Sequence, residues 1–167
     1  PRQQLRPLHQ LVIRKRDLPP FYSVCVGNGP KPPIVVTTHL DSEGRTVWYL
    51  GGDLAEQAGV DRDETAQIEA GRAFFAKWLP WIDLAGAEWF TCRVDRAEPL
   101  TGTGDRPPGA YCQRRGNVLV TWPTKLALAP ALAEEVLRET SGTLTDAQHF
   151  FLDLPRPGLG KAPWDLP

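Results

Sequence analysis

The alternation of apolar and polar side chains predicts a strand near the start of the chain. Within residues 5–15, Leu11 and Ile13 would face one side of a sheet, while Val12 and Arg14 would face the other. This period of two is typical of a β-strand whose two faces have different surroundings.

A β-hairpin is predicted after this strand. Residues 34–39 are β-branched and apolar, residues 41–44 have a turn composition, and residues 46–50 resume the strand pattern. A shorter β-type segment at residues 22–26 precedes the hairpin. The glycine pair at residues 51–52 then allows the backbone to leave the sheet.

The first helix is predicted from capping signals and from its apolar spacing. Asp61 has the character of an N-cap residue, and Glu64 three positions later would complete a capping box. Pro80 is expected to end the helix because proline cannot donate the next backbone hydrogen bond. The predicted apolar stripe of this helix contains Ile68, Phe75 and Leu79.

In the second half of the chain, the sequence predicts three strands and one helix. A strand at residues 89–94 is followed by a hairpin in which residues 111–113 pair with residues 118–122. Pro130 suits the first turn of a second helix ending near residue 139. The predicted buried face of that helix consists of Leu132, Val136 and Leu137.

These elements predict an α+β fold with a mixed, mainly antiparallel sheet and two main helices. We expect one domain over residues 1–139, followed by a tail at residues 140–167 that is rich in proline and glycine. Phe150 and Phe151 are the tail residues expected to dock on the domain.

Composition limits the partners of the chain. Its 167 residues are 41% hydrophobic and carry a net charge of -1, which gives no basic field for nucleic acid or anionic lipid. The apolar runs are too short to span a membrane. The chain contains no methionine, so we expect that the sequence is part of a longer protein.

Several kinds of self-contained site are not predicted. Cys25, Cys92 and Cys112 have no metal-ligand or redox spacing, which favours buried thiols in a reducing, cytoplasmic setting. The three histidines likewise lack paired ligand spacing for a metal. The Gly-Asn-Gly-Pro sequence at residues 27–30 is followed by further prolines, which exclude the helix that a nucleotide-binding glycine loop would open.

Three segments, taken in order, resemble a known family. They are residues 5–10 (LRPLHQ), 47–52 (VWYLGG) and 116–130 (GNVLVTWPTKLALAP). Their order and spacing resemble the C-terminal portion of FAD-dependent oxidoreductases of the D-amino acid oxidase superfamily, which includes the glycerol-3-phosphate dehydrogenase-like enzymes. The resemblance covers residues 5–139. It implies a substrate domain of a two-domain flavoenzyme, with the dinucleotide-binding half absent from this sequence.

The resemblance implies that a loop between the last strand and the last helix contacts the flavin. By this resemblance, the residues expected to contact the flavin are Thr121, Trp122, Pro123, Thr124, Lys125 and Leu126. The family more often has glycines where this chain has Trp122-Pro123. The alternative is an ordinary connection between strand and helix, with Lys125 in solvent.

Substrate contacts are also carried over from the family. Arg93 is expected to bind a substrate carboxylate, because a guanidinium group can pair with both oxygens. Arg96 is the other candidate, and the alternative for Arg93 is a surface ion pair with Asp95 or Glu98. Because adjacent strand residues face opposite sides, only one of Arg93 and Cys92 can face a pocket.

Three further residues have both a functional and a structural interpretation. His9 could act as an acid–base group near the flavin, or could be a hydrogen-bonded strand histidine without a catalytic role. Trp48 and Tyr49 alternate across a strand, so one would pack and the other could bind substrate.

The sequence therefore predicts part of an FAD-dependent oxidoreductase that binds a small-molecule substrate and covers the flavin during hydride transfer from a carbon bearing an amine or hydroxyl. The alternative is a free-standing binding domain without redox activity. A specific expectation follows for the structure: Leu5, Arg93 and residues 122–125 should border one open cleft.

Overall fold

The computed structural model describes residues 2–29, 31–141 and 155–166, and the chain divides into two compact units. The first unit consists of Pro1–Arg6 and Arg96–Gly158, and the second of Pro7–Asp95 and Leu159–Pro167. The division falls inside strands β1 (Gln3–Arg14) and β5 (Glu88–Pro99). This division into two units therefore differs from the domain boundary predicted after residue 139.

The second unit is built on an antiparallel arrangement of strands. Strands β2 (Ser23–Val24), β3 (Val35–Leu40) and β4 (Thr46–Gly51) join β1 and β5 in the order β2-β3-β4-β1-β5. The predicted hairpin is confirmed, because β3 and β4 pair antiparallel with Val36 opposite Leu50. Gly52, which follows β4, has a positive φ of 83°, a conformation that glycine adopts readily, and the chain leaves the sheet there as expected.

One face of this sheet is covered by helix α2 (Glu64–Trp78). Leu11 and Ile13 of β1 lie on that face and belong to the buried core together with Trp48 and Phe75. The close approach depends on Gly71 of α2, since a Cβ atom there would lie 2.2 Å from Leu11 Cδ2. The opposite side of the sheet, called the outer face below, carries Tyr49 and its β1 neighbour Val12.

The predicted N-cap of this helix is wrong by two residues. Asp63 caps α2, and its Oδ1 accepts a hydrogen bond of 2.8 Å from the backbone N–H of Ala66. Asp61 is instead the C-cap of a preceding short helix, α1 (Gln57–Val60). The sequence offers two aspartates two residues apart, and the presence of α1 decides which of them begins α2. The helix ends at Trp78, before Pro80, as predicted.

The first unit contains a hairpin and a helix. Strands β6 (Tyr111–Arg115) and β7 (Val118–Trp122) pair antiparallel, and helix α3 (Ala129–Thr140) begins with a proline in its first turn. Both elements were predicted. The fold is therefore α+β and mainly antiparallel, but β6 and β7 form a separate two-stranded sheet rather than part of one mixed sheet.

The predicted buried face of α3 is half-buried at two positions and exposed at the third. No residue of α3 is buried, and Leu137 is 62% exposed, while Leu132 and Val136 are half-buried. A two-stranded sheet offers a narrow surface, so only part of the apolar side of the helix is covered within the described residues.

The described part of the tail has little regular structure, as predicted. Residues 155–162 contain no helix or strand, and Pro163–Asp165 forms a single 3-10 turn. Phe150 and Phe151 lie outside the described residues. Within the ranges that are described, no helix combines the length and apolar character needed to cross a bilayer.

Candidate functional site

The first unit contains an open cavity of about 600 Å³. Its wall brings together three stretches of chain that are distant in sequence, which is why sequence reasoning missed it. The lining residues are Arg2, Leu100, Thr101, Gly102, Tyr111, Gln113 and Arg115. Two of these stretches are joined by a backbone hydrogen bond of 3.1 Å, which Leu100 N–H donates to the carbonyl oxygen of Arg2.

The hairpin supplies one wall of this cavity through the two-residue period of a strand. Tyr111, Gln113 and Arg115 alternate along β6 and therefore share one face. The intervening Arg114 bonds through its guanidinium to Glu139 of α3. The hairpin thus has a cavity-facing side and a side that contacts the helix.

One glutamine organises the polar side chains of this wall. Gln113 Oε1 accepts a hydrogen bond of 2.8 Å from the Tyr111 hydroxyl and one of 3.2 Å from Arg115 Nε. These two bonds restrict the Tyr111 ring and the Arg115 guanidinium group. The wall is therefore partly pre-organised rather than formed by freely rotating side chains.

The predicted flavin-contacting loop, residues 121–126, is connected to this wall. Trp122 is the cross-strand partner of Tyr111, and their ring centroids are 5.5 Å apart in an edge-to-face arrangement. Lys125 is exposed, and Leu126 is 90% exposed. The loop and the cavity therefore belong to one continuous region of the first unit.

The loop contains an unusual backbone conformation. Thr124 has a φ of 56°, which is uncommon for a β-branched residue and is a form of local strain. Two hydrogen bonds hold it: Thr124 Oγ1 donates to Gly109 O at 3.0 Å, and Lys125 N–H donates to Pro123 O at 2.6 Å. Backbone strain of this kind is concentrated at functional sites, so the loop is a candidate for a functional role.

The region around Glu98 in the first unit is rich in arginine. Burial alone would raise the pKa of Glu98, but its pKa is lowered by the hydrogen-bonded Arg6 and by the charges of Arg96 and Arg106. Arg6 Nε and Nη2 each bond a different carboxylate oxygen at 3.0 Å. Arg96, the alternative substrate arginine, therefore lies near a carboxylate of the protein itself.

Arg93, the first choice for a substrate arginine, lies in the second unit and binds backbone. Its Nη1 donates to Val60 O at 2.9 Å, and its Nη2 donates to Arg62 O at 2.6 Å. Neither Asp95 nor Glu98, the partners in the alternative interpretation, is among these acceptors. The carboxylate-binding role stays a prediction, and it would require Arg93 to give up these bonds.

The neighbouring Cys92 faces the other side of β5. Its Sγ lies 4.0 Å from the Tyr49 hydroxyl on the outer face, and burial raises the pKa of the thiol. Tyr49 is half-buried there. The predicted alternation between Arg93 and Cys92 is therefore present, with Cys92 beside the aromatic residue proposed for substrate.

Trp48 and Tyr49 separate as the alternation predicted. Trp48 is 0% exposed, stacks on Phe75 with ring centroids 6.1 Å apart, and donates from Nε1 to Pro19 O at 3.0 Å. It is the residue that packs, and it has no exposed surface for a substrate. Tyr49 keeps the substrate role as a prediction.

His9 is buried on the helix-covered side of the sheet. Its Nδ1 donates to Gly59 O at 2.9 Å, since a carbonyl oxygen can only accept. Its own carbonyl accepts 2.7 Å from Gln67 Nε2, which also donates to Leu54 O at 2.9 Å. These contacts match the structural interpretation of His9, and its catalytic role stays a prediction.

The residues predicted to border one cleft are divided between the two units. Leu5 and residues 122–125 belong to the first unit, whereas Arg93 belongs to the second.

Within the described ranges no group of three or more metal-ligating side chains occurs, and all three cysteines are free thiols.

The C-terminal segment lies against the outer face of the second unit. The Trp164 ring stacks on His39 with centroids 4.2 Å apart and meets Tyr49 edge-on at 5.5 Å. Two polar contacts accompany the stack: Arg14 Nη1 donates to Trp164 O at 3.4 Å, and Ser42 N–H donates to an Asp165 carboxylate oxygen at 2.8 Å. This segment therefore covers the part of the face that carries Tyr49.

Acidification is expected to loosen this segment. Burial lowers the pKa of His39 below its ordinary value of 6.5, so folding favours the neutral ring. The stability associated with neutral His39 is present above about pH 6.5 and is lost as the pH falls through the lowered pKa. Hydrogen exchange of residues 159–166, corrected for intrinsic rates, should show faster opening at about pH 5 than at pH 7.5.

The matched control is His39→Asn, which cannot titrate in this range. Its opening free energy should be the same at both pH values, apart from the contributions of other groups. An equal pH effect in both proteins would exclude His39 as the cause.

Comparison with known proteins gives one clear similarity. No protein-family model matches the chain. It is 49% identical, over 99% of its length, to a probable FAD-dependent oxidoreductase of Pseudomonas aeruginosa. A crystal structure of an FAD-dependent oxidoreductase from the same bacterium superimposes with a TM-score of 0.86 over 97% of this chain, again at 49% identity.

The chain is therefore similar to part of a flavoenzyme. It spans 43% of the curated relative and 45% of the crystallised chain, which is less than half the length of each. The matched region covers 99% of this chain, so it extends through both units. The similarity does not identify the D-amino acid oxidase superfamily in particular.

Proposed function

We propose that this chain is the substrate-binding and flavin-covering part of an FAD-dependent oxidoreductase of the D-amino acid oxidase type. The observation that carries the proposal is 49% identity over nearly the whole chain to a probable FAD-dependent oxidoreductase, supported by a matching crystal structure. A full protein of this kind would also contain a dinucleotide-binding half, which is the partner we propose. The three free thiols favour a cytoplasmic location.

The loop at residues 121–126 fits the flavin-contacting role in three respects. It is largely exposed, it contains the strained Thr124, and it leads to helix α3, whose start has no side-chain cap. Backbone N–H groups at an uncapped helix start can stabilise negative charge. FAD, when bound, would supply the isoalloxazine ring that accepts a hydride from the substrate.

The chain's own contribution would be to orient the substrate and exclude water. Tyr49 offers a half-buried hydroxyl on the outer face, next to Cys92. A hydroxyl of this kind can hold an amine or hydroxyl group of the substrate while the carbon beside it loses hydride. The substrate we propose has an oxidisable C–N or C–O bond, and its binding at Tyr49 would require the Trp164 ring to move away.

The proposal is tested on the full-length protein. The reading frame upstream of Pro1 should encode a strand, a Gly-x-Gly-x-x-Gly loop and a helix, with an acidic residue about 20 positions later. The purified protein should be yellow, and its flavin absorbance should bleach when substrate is added without oxygen. A colourless full-length protein that binds no FAD would favour the alternative of a binding domain without redox activity.

The loop assignment has its own test in the same protein. Replacing Thr124 and Lys125 by glycine removes the strained threonine and the exposed cation. We expect FAD binding to weaken roughly tenfold or more, which is the usual cost of losing a hydrogen bond to a charged group. Asn117→Gly, in the turn of the same hairpin, is the control and should retain FAD affinity. Equal affinity in both variants would show that the side chains of Thr124 and Lys125 do not contribute to FAD binding.

A further inference from the structure

We propose that the cavity of the first unit binds a small molecule through its carboxylate or phosphate oxygen atoms, with Arg2 and Arg115 as the principal contacts. This inference rests on the composition and hydrogen bonding of the cavity wall. It does not depend on the presence of a flavin.

The first argument is an excess of cationic donors. Two of the seven lining residues are arginines, and none is a carboxylate. Arg2 is exposed, so its guanidinium group is accessible to a ligand. In the part of the chain that the structure describes, Arg115 bonds through Nε to Gln113, and its two terminal nitrogens are not used in that bond. Two guanidinium groups beside one cavity repel each other, and an oxyanion between them would relieve that repulsion.

The second argument is that one of the two arginines, Arg115, is already oriented by a hydrogen bond. Gln113 Oε1 already accepts from Tyr111 and Arg115, so the Arg115 fork is oriented before any ligand arrives. The Gln113 amide nitrogen remains as a neutral donor near this fork. A guanidinium fork with a fixed plane can bind both oxygens of a carboxylate or two oxygens of a phosphate.

The third argument concerns the local charge balance. The carboxylate of Glu98 is hydrogen-bonded to Nε and Nη2 of Arg6. The positive charges of Arg96 and Arg106 also lower the pKa of Glu98. This acid is therefore not available to neutralise Arg2 and Arg115. The first unit can accept a further negative group at the cavity.

The size and lining of the cavity indicate a small ligand with an apolar portion. Its volume of about 600 Å³ lies within the usual range for small-molecule sites. Leu100 and the ring of Tyr111 offer apolar surface beside the arginines. A metabolite with one anionic end and a short carbon skeleton, or the phosphate end of a nucleotide, fits this combination.

The test is a titration of the 167-residue chain, followed by NMR of its arginine Nε–H and backbone amide signals. Inorganic phosphate, succinate and ADP are the three probes. We expect saturable shifts at Arg115 Nε–H and at the amides of Thr101 and Gly102 with at least one probe. Arg115→Gln should weaken that binding roughly tenfold or more, the usual loss for a charge-assisted hydrogen bond.

The matched control is Arg138→Gln, which makes the same change of net charge on the exposed surface of α3. It should leave the affinity within about twofold, because Arg138 does not line the cavity and an exposed charge is screened by salt. Arg2→Gln provides a second variant of the site, and should also weaken binding if Arg115→Gln disturbs the hairpin.

The probes separate the two sources of the anionic group. Tighter binding of ADP than of inorganic phosphate would indicate a nucleotide phosphate, whereas preference for succinate would indicate a carboxylate metabolite. Either result supports the site. Absence of saturable shifts with all three probes, or equal weakening by Arg138→Gln, would overturn it. Since no flavin enters this titration, either outcome leaves the test of the oxidoreductase proposal independent.

Discussion

Trp48→Ala is expected to destabilise the chain by about 3–5 kcal/mol, the usual cost of truncating a large buried aromatic residue. The Trp48 side chain is completely buried and contacts Phe21 and Phe75 on two sides. Its Nε1 also donates to Pro19 O, so truncation leaves a carbonyl without its partner. Urea denaturation followed by circular dichroism measures the change in unfolding free energy.

Trp81→Ala is the matched control, because Trp81 is 76% exposed. Its effect should stay within about 0.5 kcal/mol, as for most surface substitutions. If Trp48→Ala were as well tolerated as Trp81→Ala, the core position of Trp48 would be wrong and a role in substrate binding would again be possible.

His9→Ala is expected to cost about 3 kcal/mol, while His9→Asn should cost less than about 1 kcal/mol. The alanine variant leaves a buried cavity and removes the donor to Gly59 O. Asparagine places an amide N–H near the position of Nδ1 and can keep that bond. The difference between the two variants, measured by denaturation of the same chain, reports chiefly the hydrogen bond to Gly59 O.

The same two variants decide whether His9 is catalytic. In the full-length oxidoreductase, we expect His9→Asn to keep the rate of flavin reduction within about tenfold of the unmodified protein. Loss of a general acid or base would instead cost roughly 10²–10⁴-fold. A stable His9→Asn protein with that larger loss would restore the catalytic interpretation. The pH profile of the rate supplies a second readout that a structural role would not change.

The local elements were predictable because their signals lie within a few residues. The hairpin of β3 and β4 follows from β-branched residues on either side of a turn sequence, and the start of α3 follows from Pro130. The choice between Asp61 and Asp63 was not predictable in this way. It depends on whether a short helix precedes α2, and four residues of helix have almost no independent signal.

The environment of each candidate side chain was less accessible to sequence reasoning. Alternation correctly separated Trp48 from Tyr49 and Arg93 from Cys92, but it could not say which side of the sheet α2 would cover. His9 lies on the covered side, where it reaches Gly59, and Arg93 reaches the carbonyls of Val60 and Arg62. Those partners are 50 and about 30 residues away in sequence.

The sequence by itself determined the class of the fold, the two hairpins, the two main helices and a resemblance to flavin-dependent oxidoreductases. Propensity, turn composition and side-chain period act over short distances, so they can be read along the chain. Only the tertiary structure decided that Trp48 and His9 are buried, that Trp164 covers Tyr49, and that Arg2 and Arg115 line one cavity. Those relations join residues that are far apart in sequence, and only packing of the folded chain brings them together.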